Sequence, residues 1–245
     1  MSTYDVAVVG SGAAGLVAAC RAGDGGRSAV VLEKAELLGG TSAVSGGVLW
    51  MPANHLVGAQ FPDSVDGALA YLAAATGGRV PEERLRWYVE TSREAVRWLD
   101  EQTLVALAAL PPVVDSAYVA RYAIGGTPAG ARRPGRRGVR QSPTWRSGAT
   151  STPTGWPRRS PSSTGTPRWA ATRTSTAAKA LGTCGGLVTD DDGRVLDRRG
   201  RPVPGLYAAG NVSAAVFDDA YPRWGATLGS AITRAYAAGR PLART

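Results

Sequence analysis

The sequence predicts an α/β fold built around a nucleotide site, and three observations predict it. The apolar run Val6-Ala7-Val8-Val9 leads directly into Gly10-Ser11-Gly12-Ala13-Ala14-Gly15. A second apolar run, Ala29-Val30-Val31-Leu32, ends at Glu33, 18 residues past Gly15. Near the other end, Gly205-Leu206-Tyr207-Ala208-Ala209 runs into Gly210-Asn211 ahead of a helical pattern. Strand, glycine turn, helix, strand and acid make a Rossmann-like layout, with a sheet between helical layers in a three-layer arrangement.

The first strand, 6–9, hands over to a turn whose glycines have separate tasks. Gly10 permits the tight turn, Gly12 lets the backbone approach a pyrophosphate, and Gly15 lets the helix pack close to the strand. A helix over about 13–22 follows, with Ala13 and Ala14 at its start. Free N–H groups and the helix dipole there favour a phosphate. Glu33, after the second strand at 29–32, can accept hydrogen bonds from ribose hydroxyls and would repel a 2′-phosphate.

Lys34 follows, then Leu37-Leu38-Gly39-Gly40-Thr41-Ser42 and Ser45-Gly46-Gly47. The glycines and hydroxyls of this second loop suit a flat ligand, to which it can offer N–H and O–H groups without side-chain bulk. A nicotinamide dehydrogenase has no need of such a loop directly after its ribose acid. An FAD enzyme does, because FAD runs on from the pyrophosphate to a ribityl chain and a flavin ring.

Two helices come next. One is expected over 64–75, capped by Asp63 with Asp66 in its first turn. The other is expected over 81–101, opened by Pro81 with Glu82 and Glu83 early. Its inner stripe reads Leu85, Tyr88, Val89, Ser92, Ala95, Val96 and Leu99, with Arg84, Arg93 and Glu101 outside it. Further on, Leu187-Val188-Thr189 and Arg194-Val195-Leu196 read as short strands around an Asp192-Gly193 turn. Gly205–Ala209 reads as a buried strand. From Gly225 to about Ala238, Leu228, Ile232, Ala235 and Tyr236 recur at helical spacing.

The stretch VVLEKAELLGGTSAVSGGVLWMP resembles the flavoprotein group that includes fumarate reductase and 3-ketosteroid Δ1-dehydrogenase, most closely the ketosteroid branch. The resemblance covers about residues 4–100 and 181–243. It implies FAD held by Gly10, Gly12, Ala13, Ala14, Gly15, Glu33, Lys34, Gly40, Thr41, Ser42, Gly46 and Gly47. It also implies that Gly210 and Asn211 hold the ribityl chain, and that the backbone around Thr227 and Leu228 faces the flavin. The family's Tyr-Pro-Gly-Ala-Gly-Ala-Thr-Leu-Gly signature is similar to Tyr221-Pro222-Arg223-Trp224-Gly225-Ala226-Thr227-Leu228-Gly229 here. By that match Tyr221, through its hydroxyl, and Gly225, through its N–H, are the catalytic pair that polarises the steroid C3 ketone. Another tyrosine takes the C2 proton while hydride passes from C1 to the flavin. Arg223 and Trp224 depart from the pattern, standing where small residues are expected.

The expected partners are therefore a 3-ketosteroid and an electron acceptor. A fumarate-reductase-like flavoenzyme is the rival enzyme, and the single histidine, His55, speaks against it. A non-catalytic FAD-binding remnant is the rival from another class. The resembled flavoproteins are roughly twice as long and carry a capping domain inserted between the halves of the nucleotide domain. The expected organisation is thus 1–105 and 181–245 as two halves of one FAD-binding domain, with the cap largely missing. Residues 106–126 resemble a fragment of the cap, which implies that the proton-abstracting tyrosine and the return strand of the nucleotide domain are both absent; Tyr118 and Tyr122 are candidates by residue type only and are expected to pack or lie exposed.

Residues 127–180 stand apart. They hold ten arginines and Lys179, no acidic residue, no Leu, Ile, Met, Phe or Tyr, and one valine, Val139. With the chain at +9, this +11 segment leaves the rest at −2. It cannot bury enough apolar surface to offset its ordering entropy and is expected to be disordered. Three readings stay open. It could be a basic linker meeting nucleic acid or anionic membrane, with Trp145, Trp156 and Trp169 stacking on bases. It could be an inert linker. It could be translation in a shifted reading frame, since Thr166–Thr176 back-translated and read one nucleotide earlier gives HAALGRDEDFD, which resembles an Asp-rich stretch of the ketosteroid enzymes. Nucleic acid is not the expected partner of the chain as a whole.

Cys20 is expected on the apolar face of the first helix, and Cys184 precedes a glycine pair. Neither they nor His55 have metal-ligand spacing, so no metal is expected, and two cysteines suit a reducing compartment. The chain starts almost directly in a strand and has no apolar run of about 18 residues, so a cytoplasmic location is expected.

Overall fold

In the computed structural model the two apolar runs are parallel neighbours. β1 (Val6–Val9) pairs with β2 (Ala29–Leu32) in the register Val6↔Ala29 to Val9↔Leu32. Gly10 extends the ladder, donating its N–H to Leu32 O at 2.7 Å. Parallel strands need a crossover, and α1 (Ala13–Asp24) provides it. The structure describes residues 3–57, 63–107 and 182–244. They fall in one unit, Met1–Thr127 with Ala180–Thr245, and the other unit is Pro128–Lys179. The expectations for the cap fragment beyond residue 107, for Tyr118 and Tyr122, and for the basic segment lie outside the described residues.

α2 (Val65–Ala75) appears where expected, but its cap is Ser64, whose Oγ accepts the Gly67 N–H at 3.0 Å. Asp63 is drawn aside: its carboxylate accepts the N–H of Ala53 at 2.7 Å and that of Ser64 at 2.9 Å. Serine and aspartate are near-equivalent caps, so the choice falls to whichever lacks another donor. Ser64→Ala is expected to lower stability by about 1 kcal/mol, read as a shift in the urea midpoint.

α3 (Glu82–Gln102) begins immediately after Pro81. All seven residues of its expected stripe are buried, joined by Thr91 and Trp98. The stripe serves two cores. Leu85, Tyr88 and Val89 meet Leu69 and Leu72 of α2 together with Phe217. Ala95, Val96 and Leu99 meet Val17 of α1 and Ile232 near the C-terminus.

In the C-terminal portion, β3 (Arg194–Leu196) pairs antiparallel with β4 (Pro202–Tyr207). Their turn is shaped by Asp197, whose carboxylate accepts the N–H groups of Arg199 and Arg201 at 2.8 and 2.9 Å. This corrects two expectations. Leu187–Thr189 is not a full strand: it makes single bridges, Thr189 with Val195 and Leu187 with Ser213. The strand read as Gly205–Ala209 spans Pro202–Tyr207 and is largely exposed, because a five-residue turn puts β3 within immediate reach as its partner. Among the described residues the parallel sheet therefore has two strands, and β4 does not join it.

α4 (Ala226–Arg244) outruns its expected end near Ala238. Gly239, inside the helix, is there for packing: a Cβ on it would lie 2.2 Å from Arg21 Cβ of α1. Just past the same end of α1, a Cβ on Gly25 would lie 2.3 Å from Ala243 Cα. The Arg21 guanidinium sits over the rings of Trp98 and Tyr236, at 5.5 and 4.7 Å. The first and last helices of the chain are thus in intimate contact. Cys20, expected on the apolar face of α1, is exposed, as is Cys184; Val17 and Arg21, one turn apart, take the side facing α3 and α4. Among the described residues no helix is long and apolar enough to cross a membrane.

Candidate functional site

The glycine turn folds as its residues require. Gly10 has φ +98°, and a Cβ on Gly15 would lie 2.0 Å from the Gly10 carbonyl oxygen. Gly12 differs. Its φ of −63° suits any residue, and only Ser42 Oγ, at 3.7 Å, lies near the place of a Cβ. The protein itself therefore leaves room at Gly12, on the open side of the first turn of α1.

Ser11, which the glycine spacing alone did not single out, is the hub of the site. Fully buried, it donates from N at 2.9 Å and from Oγ at 2.6 Å to the Glu33 carboxylate. Its Oγ accepts the Gly39 N–H at 2.8 Å. A small hydroxyl residue between two glycines, opposite an acid, was the signal for it. Ala35 N–H also donates to Glu33, at 2.9 Å. These bonds, the Ser11 hydroxyl foremost, bring the Glu33 carboxyl from its ordinary 4.5 to about 2. The folded form thus holds its proton less tightly than the unfolded chain. The contribution of Glu33 to stability is present above pH 4.5 and is lost as pH falls through 2. Glu33→Gln is therefore expected to be less stable than the parent at pH 6, with the gap narrowing as pH falls toward about 2, measured by urea denaturation along the pH series.

The second loop lies on the first. Gly39 and Gly40 have φ of +105° and +51°, and a 3-10 turn (Gly40–Val44) follows. A Cβ on Gly40 would sit 3.8 Å from Gly12 Cα. Ser42 Oγ accepts the Ala13 N–H at 3.0 Å, so a hydroxyl oxygen meets the first free donor of α1, whose own N-cap has no side chain to offer. Lys34, Thr41, Gly46 and Gly47 are exposed.

The C-terminal residues arrive from the other end of the chain. Gly210, at φ +77°, abuts Ala14: a Cβ there would be 3.1 Å from Ala14 Cβ. Asn211 and Thr227 flank Gly182, whose Cβ would be 3.4 Å from Asn211 Oδ1 and 3.2 Å from the Thr227 methyl. Leu228 is half-buried beside them in sequence. Gly225 (φ +88°) and Gly229 press on the exit of the second loop. Trp50 N–H donates to Gly225 O at 3.1 Å, and a Cβ on Gly229 would be 2.3 Å from Trp50 O. Tyr88 secures that exit, donating to Trp50 O at 2.5 Å.

Tyr221 is 49% exposed, and its hydroxyl oxygen accepts the Gly225 N–H at 3.3 Å. Tyr71 holds the turn between them by donating to Pro222 O at 2.5 Å. Trp224 is 60% exposed. His55 lies elsewhere, paired with Asp100 at 3.1 Å. Among the described residues no three His, Cys, Asp or Glu side chains gather as a metal site would require.

Two glycine-rich loops, an acid after the second strand and a C-terminal turn against the first helix define a dinucleotide-binding protein of the α/β class. The chain belongs to the FAD binding domain family, which it matches over residues 5–166 and 156–228. Its cofactor is accordingly FAD. The relatives it is similar to include 4-oxocyclohexanecarboxylate 2-dehydrogenase of Sinomonas cyclohexanicum, 52% identical over 41% of this chain and 18% of the relative. Another is 3-oxosteroid 1-dehydrogenase of Mycolicibacterium smegmatis, 41% identical over 46% of this chain and 20% of the relative. Among solved structures, 3-ketosteroid Δ1-dehydrogenase from Sterolibacterium denitrificans is 51% identical over 41% of this chain and 18% of that one, with a TM-score of 0.38. The chain thus spans about a fifth of the length of these relatives.

Proposed function

We propose that this chain is the FAD-holding part of an oxidoreductase that removes a hydride and a proton from adjacent carbons next to a ring ketone, as 3-ketosteroid Δ1-dehydrogenases do. One observation carries the reading: the Gly210 turn abuts the first turn of α1, so residues from both ends of the chain border one site. The residues suit FAD. Ser42 Oγ on the Ala13 N–H marks where a phosphate oxygen can sit, and Gly12 leaves the approach open. Glu33 keeps acceptor capacity on Oε1 for ribose hydroxyls beside the Ala35 N–H it already accepts. Asn211 and Thr227, either side of Gly182, are placed for the ribityl chain and the ring. FAD, when bound, supplies the hydride acceptor.

Tyr221 and Gly225 are the proposed catalytic pair. A ketone oxygen entering beside them would take the Gly225 N–H away from Tyr221 and receive the freed phenol as a second donor. Two donors on one carbonyl acidify the neighbouring carbon by stabilising developing enolate charge. Trp224, immediately before Gly225 in sequence, is exposed.

The Rossmann-like three-layer completion of the sheet and the loss of the cap belong to the same proposal. A chain this short against its relatives is expected to bind flavin and turn over poorly or not at all. The fumarate-reductase-like reading is disfavoured, because the single histidine is engaged with Asp100. The test is a visible spectrum of the purified protein followed by dye reduction driven by a 3-oxosteroid and by 4-oxocyclohexanecarboxylate. Flavin absorbance with little turnover is expected. Colourless protein that fails to take up added FAD would reject the cofactor assignment, and relative-like turnover would reject the impairment.

A further inference from the structure

Among the described residues Arg234, 4% exposed, is the buried charged side chain. Burying a guanidinium is costly unless acceptors and an opposite charge meet it. Among the described residues its one hydrogen-bond acceptor is the neutral hydroxyl of the buried Thr189, which it reaches through Nη1. Among the described residues no carboxylate forms an ion pair with it. Its guanidinium lies 5.8 Å over the ring of Trp87. The Trp87 indole Nε1 is itself buried without an acceptor. One helical turn before Trp87 on α3 stands Arg84, a second cation close enough to act on Arg234.

The cluster is rich in donors and poor in acceptors. An arginine brings five N–H groups and an indole one, and neither can accept. Burial, then repulsion from Arg84, brings Arg234 down to about 10, with Asp191 opposing. The Asp191 carboxyl is pushed up, by burial first and then by Asp190 and Asp192, while the charges of Arg84 and Arg234 act on it in the opposite direction; it makes no ion pair with either among the described residues.

We infer that Arg84, Trp87, Thr189 and Arg234 form a binding site for a small oxyanion, between α3, α4 and the turn that precedes β3. A guanidinium fork matches two oxygens of a phosphate or carboxylate, and the indole N–H supplies a further donor. Arg234 lies eight residues into α4, about 12 Å along the axis from the end that meets the second loop. The inference uses no residue of the glycine turn and does not rest on the flavin reading.

The test uses the full chain labelled with 15N. The Trp87 indole resonance is identified by its loss in Trp87→Phe and followed while inorganic phosphate, or succinate, is added at constant ionic strength, with chloride as the control. A saturable shift is expected, with a midpoint of about 1 mM for the better anion, which also tells tetrahedral from carboxylate preference. Arg84→Gln should weaken it about tenfold, Arg234→Gln should abolish it, and Asp191→Asn should tighten it. Saturating ADP, which would compete at the glycine turn, should leave the midpoint unchanged. Should Arg234→Gln fail to fold, the half-buried Arg84 carries the comparison. A flat titration, a response equal to that of chloride, or one that ADP removes or Arg84→Gln leaves intact would overturn the inference.

Discussion

Gly15→Ala is expected to destroy the nucleotide loop and most of the stability of the domain. The new Cβ would stand 2.0 Å from the Gly10 carbonyl oxygen, with Val8 Cγ1 behind it at 3.2 Å. Backbone must give way there, because the obstructing atom is not the end of a flexible side chain. Pulling α1 from β1 would break the packing that seats Ser11 under Glu33. A loss of roughly 3 kcal/mol or more is expected, at the upper end for overpacking. For a domain of ordinary marginal stability that is a large share of the total. Circular dichroism and urea unfolding check it: a broadened, early transition is expected, and a parent-like midpoint would contradict the close packing described for Gly15.

Gly239→Val is the second large effect. Its Cβ would lie 2.2 Å from Arg21 Cβ, where the first and last helices touch. Arg21 is itself fixed over Trp98 and Tyr236, so it cannot simply swing away. The branched methyls would wedge α4 off α1, at a cost of about 2–3 kcal/mol. The result should differ from that of Gly15→Ala in one respect. The Gly10–Gly15 turn remains sterically sound, so ADP should still protect residues of the N-terminal half from hydrogen exchange while protection in α4 falls. Equal protection in α4 for parent and variant would show that the two helices do not depend on one another.

Much of this was legible in the sequence because the decisive features are local. Gly10, Gly12, Gly15 and Glu33 lie within two dozen residues, and glycine spacing plus apolar runs dictate the turn directly. The stripe of α3 was readable because its period is set by helix geometry alone. What escaped depended on long-range choices. Ser64 rather than Asp63 caps α2 because Asp63 is recruited by the Ala53 N–H ten residues earlier. Gly205–Ala209 looked like a buried strand because it is apolar, yet its hydrogen-bonding partner is decided by the nearby turn at Asp197. The last helix was expected to end near Ala238 because nothing local announces that Gly239 packs on Arg21 and the helix runs on to Arg244. Ser11 was passed over because its importance lies in two partners, Glu33 and Gly39, 22 and 28 residues away.

The central claim is that one FAD lies across the first turn of α1, held from both ends of the chain. Gly12→Ala tests it most directly, because the structure has space for that methyl and its backbone angles tolerate it. Folding should therefore be spared while the approach of a pyrophosphate is obstructed. FAD titration of parent and variant, followed by flavin fluorescence quenching, should show one site in the parent and binding weakened at least about tenfold in the variant, with both melting alike without ligand. Unchanged FAD affinity in a folded Gly12→Ala protein would contradict the account.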